Sequence, residues 1–183
     1  MYRLVPSPHV SLPSQARPPG QPGPASHLES AAAEGDSTMQ IRTVLSAKDR
    51  PVITIGTGAS VAEAVAELVR HNIGSLPVVD GHGALVGIFT ERDVLRGLHD
   101  RGKEFCHEPI GEVMTDRVVS CSIRDSVHDA MGRMSAHGIG QLTVLDDDGS
   151  LVGIVSVGDL IRELHQAAEE ERNNLMNYVY GGV

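Results

Sequence analysis

The chain has 183 residues, of which 40% are hydrophobic, and it carries a formal net charge of −9 at neutral pH. This length predicts one domain or a tandem pair, and the acidic balance argues against a surface built to bind nucleic acid. The two cysteines, Cys106 and Cys121, supply neither a disulfide framework nor a four-ligand zinc site, so we expect a cytoplasmic protein without a structural metal ion. No apolar run of about 18 residues occurs, so we expect no membrane span.

Residues 1–38 form a tail that is rich in proline, serine and glycine and has no apolar periodicity. Such a segment buries too little apolar surface to offset its ordering entropy, so we expect it to be disordered. Its arginines, and the absence of acidic residues before Glu29, are weakly typical of organellar import sequences. Met39 is an alternative first residue of the natural protein.

Residues 39–100 contain apolar patterns that alternate between strand and helix periodicity. Ser60 is a favourable N-cap for the first helix, and Gly74 is a favourable residue to end it. The motif Asp80-Gly81-His82-Gly83 lies between two apolar runs and predicts a hairpin turn. The predicted elements are, in order, a strand at Pro51–Ile55, a helix through Val61–Leu68, strands at Leu76–Val79 and Leu85–Phe89, and a helix from about Thr90.

This unit occurs twice, because Gly74–Leu98 is repeated 66 residues later as Gly140–Leu164, with 12 of 25 aligned positions identical. The second unit, residues 114–165, begins with a predicted strand at Val118–Cys121 and follows a linker at 101–113. Residues 166–183 extend the final helix and end in a tail. The duplication predicts an α+β module of two β-α-β-β-α repeats, whose clefts should occur in pairs.

A hydroxyl and an aspartate occur three residues apart where the last strand of each unit meets a helix. The pairs are Thr90 with Asp93, and Ser156 with Asp159. A hydroxyl at a helix N-terminus can donate to a phosphate, and an aspartate one turn later can accept from the hydroxyls of a ribose. The same spacing also forms a capping box without any ligand, and spacing alone does not separate the two interpretations.

Two other patterns could indicate chemistry. A strand followed by Gly56-Thr57-Gly58 and a helix resembles the start of a dinucleotide-binding fold, which would make the protein an NAD-dependent oxidoreductase. The third glycine of that motif is absent, and the predicted hairpin breaks the required βαβ alternation. His71 and His137 occupy equivalent positions in the last turn of a helix, where a histidine usually complements the helix dipole. We therefore expect no catalytic residues and no metal ligands.

The doubled segments resemble the CBS-domain pair, or Bateman module, over about residues 40–165. The motifs that carry the resemblance are Gly-Ile-Phe-Thr-Glu-Arg-Asp at 87–93, Gly-Ile-Val-Ser-Val-Gly-Asp at 153–159, and the Leu-Val-Gly-Ile segments that overlap them. The resemblance implies that the two repeats pack as a pseudo-twofold pair with a C-terminal helical extension. It also implies the small stand-alone kind of CBS protein, and the ending Asn-Tyr-Val-Tyr-Gly-Gly is similar to plant organellar members and their bacterial relatives.

By position, the resemblance implies two clefts that bind an adenosine ligand: AMP, ADP, ATP, NAD(H) or S-adenosylmethionine. The first cleft would comprise Ser156 for phosphate, Asp159 for ribose, and Ile154, Ile53, Ile73 and Gly74 for adenine. The second would comprise Thr90, Asp93, Arg92 as a phosphate contact, and Ile88 facing Val119, Ile139 and Gly140. Because Gly158 stands where the first repeat has Arg92, we do not expect equal use of both clefts.

The sequence therefore predicts a non-enzymatic adenine-nucleotide sensor that requires no cofactor, forms a homodimer and regulates an unidentified protein partner. The alternative is a ligand-free CBS scaffold that mediates dimerisation or partner binding, with its hydroxyl–aspartate pairs acting only as helix caps.

Overall fold

A computed structural model describes residues 39–48 and 50–180. The tail predicted to be disordered, residues 1–38, lies outside the described residues, as do position 49 and residues 181–183. The helices are α1 Ile41–Ser46, α2 Val61–His71, α3 Glu91–Arg101, α4 Ile110–Val113, α5 Val127–His137 and α6 Val157–Tyr180, with a 3₁₀ helix at Gly102–His107. The strands are β1 Ile55–Gly56, β2 Ser75–Val79, β3 Leu85–Thr90, β4 Ser120–Ser122, β5 Gln141–Leu145 and β6 Leu151–Ser156.

Each repeat forms its own three-stranded sheet, in the orders β1-β2-β3 and β4-β5-β6. The first two strands of each sheet are parallel, because a helix connects them, and the last two form an antiparallel hairpin. The registers are equivalent, since Ile55 pairs with Val78 and Cys121 pairs with Val144, 66 residues further along in both strands. The α+β fold with two β-α-β-β-α repeats is confirmed.

The first strand of each repeat is shorter than the sequence predicted. The predicted strand Pro51–Ile55 is paired only at Ile55–Gly56, and the predicted strand Val118–Cys121 is paired at Ser120–Ser122. Residues 51–53 do not pair with a strand, because the chain crosses between the two repeats here and these residues line the cavity between them. The prediction of a strand over Pro51–Ile55 was therefore wrong about pairing for every residue but Ile55.

The first helix of the first repeat begins as the sequence predicted and ends at a different residue. Ser60 caps α2 in a capping box, since its hydroxyl accepts from the Glu63 amide and the Glu63 carboxylate accepts from the Ser60 amide. Gly74 does not end this helix: Asn72 takes the left-handed conformation directly after His71, with a φ of 50°. Asparagine tolerates this region because its short polar side chain bonds locally, so it replaces the expected glycine.

The hairpin turns are confirmed in both repeats and have the same construction. The Asp80 Oδ1 atom accepts from the amides of His82 and Ala84, both at 2.9 Å. The Asp146 Oδ1 atom accepts in the same way from Asp148 and Ser150. A carboxylate that bonds the backbone two and four residues ahead closes such a turn locally, which explains why the sequence predicted it.

The two repeats exchange their leading helices. α1 precedes the first repeat in the chain, yet Ile41 and Val44 are buried in the core of the second, with Cys121, Val127 and Leu142. The amides of Ile41 and Arg42 donate to the carbonyls of Asp125 and Ile123, both at 2.9 Å. α1 is therefore held by the repeat that lies more than seventy residues away in the chain.

α4 makes the reciprocal contact on the first repeat. Ile110 and Phe105 of the preceding 3₁₀ helix are buried in the first core, and the Ile110 amide donates to the Ala59 carbonyl at 2.8 Å. Each helix ends over a glycine of the sheet it covers. A Cβ on Gly153 would lie 2.5 Å from Leu45 Cδ2, and one on Gly87 would lie 2.9 Å from Met114 Cγ. Only glycine permits this approach.

α6 is the longest helix, with 24 residues, and continues well beyond the second sheet. Its first turns are anchored by Leu160, which is buried in the second core. Leu175, Met176 and Tyr178 near its end are exposed. Within residues 39–48 and 50–180, no helix combines the length and the apolar character needed to cross a bilayer.

Candidate ligand-binding cleft

A cavity of about 1030 Å³ lies between the two repeats. This volume is slightly above the range of about 300 to 1,000 Å³ that is usual for small-molecule sites. One wall comes from the first repeat and the segment before it, and the other from β6 and α6 of the second repeat. The cavity collects all six residues assigned to the first cleft from the sequence: Ile53, Ile73, Gly74, Ile154, Ser156 and Asp159.

Among the described residues that line this cavity, Asp159 is the only acidic one, and only 9% of its surface is exposed. Its Oδ2 atom accepts three hydrogen bonds: from the Ser156 amide at 2.9 Å, from the Ser156 hydroxyl at 2.6 Å and from the Lys48 ammonium at 2.7 Å. The Asp159 amide donates back to the Ser156 hydroxyl at 3.2 Å, which completes a capping box at the start of α6. Of the side chains that the structure describes, only Arg162 approaches the other oxygen, Oδ1, at 3.4 Å.

This hydrogen bonding decides the ionisation of Asp159. Burial would by itself raise the pKa of the carboxyl, since it disfavours the charged form. The hydrogen bonds from Lys48 and Ser156 act in the opposite direction and hold the pKa below its ordinary value. Asp159 is therefore a carboxylate at neutral pH, and an acceptor on the wall of the cavity.

Lys48 connects the segment after α1 with the end of β6 and the start of α6. It follows α1, and its ammonium bonds both Asp159 and, at 2.9 Å, the carbonyl oxygen of Ile154 at the end of β6. Since α1 packs on the second repeat and β1 belongs to the first, the segment that holds Lys48 crosses from one repeat to the other. A ligand in the cavity would contact this crossing segment as well as both repeats.

The second predicted cleft has the same capping box without a lysine. The Asp93 Oδ2 atom accepts from the Thr90 amide at 2.9 Å and from the Thr90 hydroxyl at 2.7 Å. Arg92, assigned to phosphate from the sequence, places its guanidinium 3.5 Å from the carbonyl of Gly138 in the other repeat. The backbone of Ile88 is bonded in both directions to Thr115, which follows α4.

The other residues assigned to this second cleft are positioned as follows. Ile139 lines a separate, apolar cavity of about 370 Å³ with Met131, Met134 and Val157. The Gly140 carbonyl accepts from the Val157 amide, and Val119 packs against the core of the second repeat. The structure therefore brings the residues assigned to the first cleft together in one cavity, and it places Ile139 of the second set in a separate one.

Sequence reasoning missed the basic residues of the first cleft. Lys48, Arg50, Arg70 and Arg162 all line the cavity around Asp159. Arg162 lies one helical turn after Asp159, and Arg70 is in the last turn of α2, so helical spacing could have indicated both. Lys48 and Arg50 lie between elements, and no local pattern places them beside a residue of the other repeat.

The alternative chemistries find no matching geometry in the part of the chain that the structure describes. The Thr57 carbonyl of the Gly56–Gly58 loop accepts from the Gly111 amide at 2.9 Å, so α4 covers this loop. The strands β2 and β3 are antiparallel, which is not the sheet of a dinucleotide-binding fold. Among described residues, no group of three or more histidine, cysteine or acidic side chains is arranged to hold a metal ion.

Comparison with known proteins identifies the family. The family model described as CBS domain matches twice, at residues 44–100 and 110–166. The CBS domain-containing protein CBSX3, mitochondrial, of Arabidopsis thaliana is 34% identical over 130 residues, which are 69% of this chain and 63% of that protein. The match thus spans somewhat less than two thirds of this relative.

Solved structures agree with the sequence match. A CBS-domain containing protein from Agrobacterium tumefaciens superposes with a TM-score of 0.64 at 31% identity, over 68% of this chain and 97% of that one. The CBS domain pair of protein MJ0100, solved in complex with 5′-methylthioadenosine and S-adenosyl-L-methionine, gives a TM-score of 0.62 at 32% identity, over 70% and 98%. The doubled family match, the paired sheets and the capping boxes at equivalent positions together show that this chain belongs to the CBS-domain family, as a tandem pair.

Proposed function

We propose that this protein is a non-enzymatic regulator that binds an adenosine nucleotide between its two repeats, in the cavity around Asp159. The observation that carries the proposal is the position of Asp159: a carboxylate with 9% exposure on the wall of a cavity of about 1030 Å³, facing residues of the other repeat. The MJ0100 domain pair, which has the same fold at 32% identity, binds two adenosine compounds, and this supports the class of ligand.

The remaining bonding capacity of Asp159 suits a ribose. A carboxylate has about four lone-pair positions, and Oδ2 already accepts three hydrogen bonds. Within residues 39–48 and 50–180, Oδ1 has only the long contact with Arg162, so it can accept from a ribose hydroxyl while the capping box stays intact. The Ser156 hydroxyl lies at the helix N-terminus, where it can turn towards a phosphate oxygen. The isoleucines 53, 73 and 154 supply an apolar surface for the adenine ring.

Binding would influence the arrangement of the repeats, because the ligand contacts both of them and the segment that links α1 to β1. A ligand that fits one orientation better shifts the population towards it by its difference in affinity. A regulated protein partner would then respond to that orientation. Small-angle scattering and amide exchange protection, measured with and without saturating nucleotide, test this step, and identical results in both conditions would refute it.

The test of binding is thermal unfolding in the presence of AMP, ADP, ATP, NADH and S-adenosylmethionine, for the wild type and for Asp159→Ala and Asp93→Ala. A ligand present at about 100 times its Kd adds about 2.7 kcal/mol to the free energy of unfolding, which raises Tm by several degrees. We expect a shift for at least one ligand that Asp159→Ala abolishes and Asp93→Ala retains. A shift that survives both substitutions would contradict the assignment of the site.

A ligand-free scaffold is the second candidate, and one observation favours it. Both capping boxes are completed by their own atoms, so Thr90, Asp93, Ser156 and Asp159 have a structural role without a ligand. The same unfolding experiment decides between the two candidates, because the absence of a shift with every adenosine compound supports the scaffold.

We also propose that the protein forms a homodimer and acts in the cytoplasm. Leu95 on α3 and Ile161 on α6 are equivalent positions of the two repeats, and both are exposed, by 71% and 53%. Apolar side chains related by the pseudo-twofold suit a self-complementary contact with a second copy. Light scattering after gel filtration should give the mass of a dimer for the wild type, and the double variant Leu95→Glu/Ile161→Glu should give the mass of a monomer.

The proposal of a cytoplasmic location is supported by the two cysteines, Cys106 and Cys121, which are both unpaired. Unpaired thiols are typical of proteins in a reducing compartment.

A further inference from the structure

An apolar groove lies between α5 and the first turn of α6. It has a volume of about 370 Å³ and is lined by Met131, Met134, Ser135, Gly138, Ile139 and Val157. Among these described residues, Ser135 alone has a polar side chain, and Met134 at the base of the groove belongs to the second core. An apolar concave surface that is open to solvent is typical of a site that binds another apolar surface.

The other end of α6 exposes apolar side chains. Leu175, Met176 and Tyr178 are exposed by 60%, 53% and 88%. They lie beyond the second CBS match, which ends at residue 166, on the part of α6 that extends past the repeat. Three large apolar side chains within four residues form a patch that favours burial against a partner.

One apolar stripe along α6 connects the groove with this exposed end. The residues of the stripe follow one another at helical spacing and are Val157, Ile161, Leu164, Ala168, Leu175 and Tyr178. On a helix with 3.6 residues per turn they occupy a face about 100° wide, and Met176 lies about 100° away from Leu175. The spacing is that of positions a and d of a heptad, with which two helices pack side by side. Glu171 occupies one of these positions.

α6 cannot bring its exposed end to its own groove. Between Asp159 and Tyr180 the helix contains neither proline nor glycine, the residues at which helices usually kink. Tyr178 follows Val157 by 21 residues, which is about 32 Å along a straight helix axis. A second copy of the chain fits both surfaces, because two antiparallel α6 helices bring each exposed end to the groove of the other copy.

The charge of Glu171 favours this antiparallel direction. In a parallel pair in register, Glu171 would face Glu171 of the second copy in the middle of the apolar stripe, and like charges in such a contact are unfavourable. In an antiparallel pair with Ile161 opposite Tyr178, Glu171 faces the small Ala168 of the second copy. Arg172 of the second copy then flanks it and supplies an opposite charge.

We propose that the end of α6, residues 168–178, packs into the groove between α5 and α6 of a second copy, so that the homodimer is an antiparallel pair of α6 helices. The inference rests on the homodimer of the proposed function and identifies the surface that forms it. The same two surfaces meet twice about a twofold axis, so the assembly closes as a dimer. The subunit contact and the proposed nucleotide site then share one helix, because Asp159 lies in the first turn of α6.

Light scattering after gel filtration, over a range of protein concentrations, tests the contact. The variants are Leu175→Glu/Tyr178→Glu, which places charge in the stripe, and Met176→Glu, which places the same charge outside it. We expect a dimer for the wild type and a dissociation constant raised by about 100-fold or more for the double variant, since both contacts of the dimer are altered. Met176→Glu should stay within about twofold of the wild type, and circular dichroism should show the same helix content for all three proteins.

Oxidative cross-linking tests the direction, in a Cys106→Ser background that leaves only the buried Cys121. The variant Ile161→Cys/Tyr178→Cys should form a disulfide-linked dimer. Ile161→Cys alone should not, because an antiparallel pair separates the two copies of position 161 by about 25 Å. A parallel pair would cross-link through the single substitution, and that result would overturn the proposal.

The outcomes separate this contact from the proposed homodimer. If Leu175→Glu/Tyr178→Glu remains as dimeric as the wild type, or if Met176→Glu dissociates equally, the docking of α6 is refuted. The homodimer then stands on another surface, which Leu95→Glu/Ile161→Glu tests. A monomeric wild type refutes both the homodimer and this contact, including the case in which residues 1–38 of the same chain fill the groove. The nucleotide site is tested separately by thermal unfolding.

Discussion

Replacing Asp159 by alanine should cost more stability than replacing Asp93, although both residues close a capping box. The two boxes have nearly equal geometry, with the hydroxyl bonded to the carboxylate at 2.6 Å in one and 2.7 Å in the other. Loss of such a cap costs about 1 kcal/mol. Asp159 also holds Lys48 at 2.7 Å, and the two side chains are only 27% and 12% exposed.

The cost of losing this ion pair lies between two limits. Exposed pairs contribute about 0.2 to 1 kcal/mol, and breaking a buried pair costs about 3 to 5 kcal/mol. For a half-buried lysine that also bonds the Ile154 carbonyl, we expect about 1 to 2 kcal/mol. Asp159→Ala should therefore lower the free energy of unfolding by about 2 to 3 kcal/mol, and Asp93→Ala by about 1 kcal/mol.

Urea denaturation at pH 7 without nucleotide measures both costs, and unchanged m values show that the unfolded states are comparable. The matched control is the same pair of substitutions in a Lys48→Ala background, where the two aspartates should become equivalent. Equal costs in the wild-type background, or a difference that persists without Lys48, would refute the argument from the ion pair.

The pH dependence of the same variant has a defined sign. Asp159 has a pKa below its ordinary value in the folded state, so its contribution is complete above the unfolded pKa of about 3.9. The stability gap between the wild type and Asp159→Ala should be the same at about pH 7 and pH 5, and should close as the pH falls through the folded pKa. If the stability gap closes between about pH 7 and pH 5, the pKa of Asp159 is not lowered in the folded state and the argument is wrong.

Two further predictions concern packing and thiol reactivity. Gly97→Ala should destabilise the protein by about 1 to 2 kcal/mol in the same urea assay, because its Cβ would clash with the buried ring of Phe105. Gly132→Ala, where a Cβ meets open space, should stabilise the protein by about 0.5 to 1 kcal/mol. Burial raises the pKa of the Cys121 thiol to about 11, so under native conditions at neutral pH iodoacetamide should modify Cys106, which is partly exposed, and leave Cys121 intact by mass spectrometry. Equal modification of both thiols would show that the second core opens readily.

Features that depend on neighbouring residues were predictable. The capping boxes at Thr90 and Ser156, and the turns at Asp80 and Asp146, are closed by atoms within four residues of one another. The energy of such elements is local, so their pattern in the sequence suffices. Because the two units have similar sequences, the elements predicted for one unit were also expected in the other.

Predictions failed where pairing or burial depended on distant residues. The run Pro51–Ile55 has the composition of a strand, but only Ile55 meets β2, since the chain before it crosses the cavity between the repeats. The end of α2 at Asn72 instead of Gly74 was a choice between two residues that both tolerate a positive φ. The sequence contains both possibilities, and the chain takes the left-handed conformation at Asn72.

The sequence by itself determined the two repeats, their order of strands and helices, the hydroxyl–aspartate pairs and, through the family resemblance, six residues that meet in one cavity. Only the tertiary structure decided that α1 packs on the second repeat, and that Lys48 meets Asp159 across a separation of 111 residues. The physical reason is that each repeat leaves one side of its sheet open. α1 and α4 have similar apolar faces, and which sheet each covers depends on long-range packing and not on any local pattern. That exchange brings a lysine to one aspartate and none to the other, and so makes the two clefts chemically different.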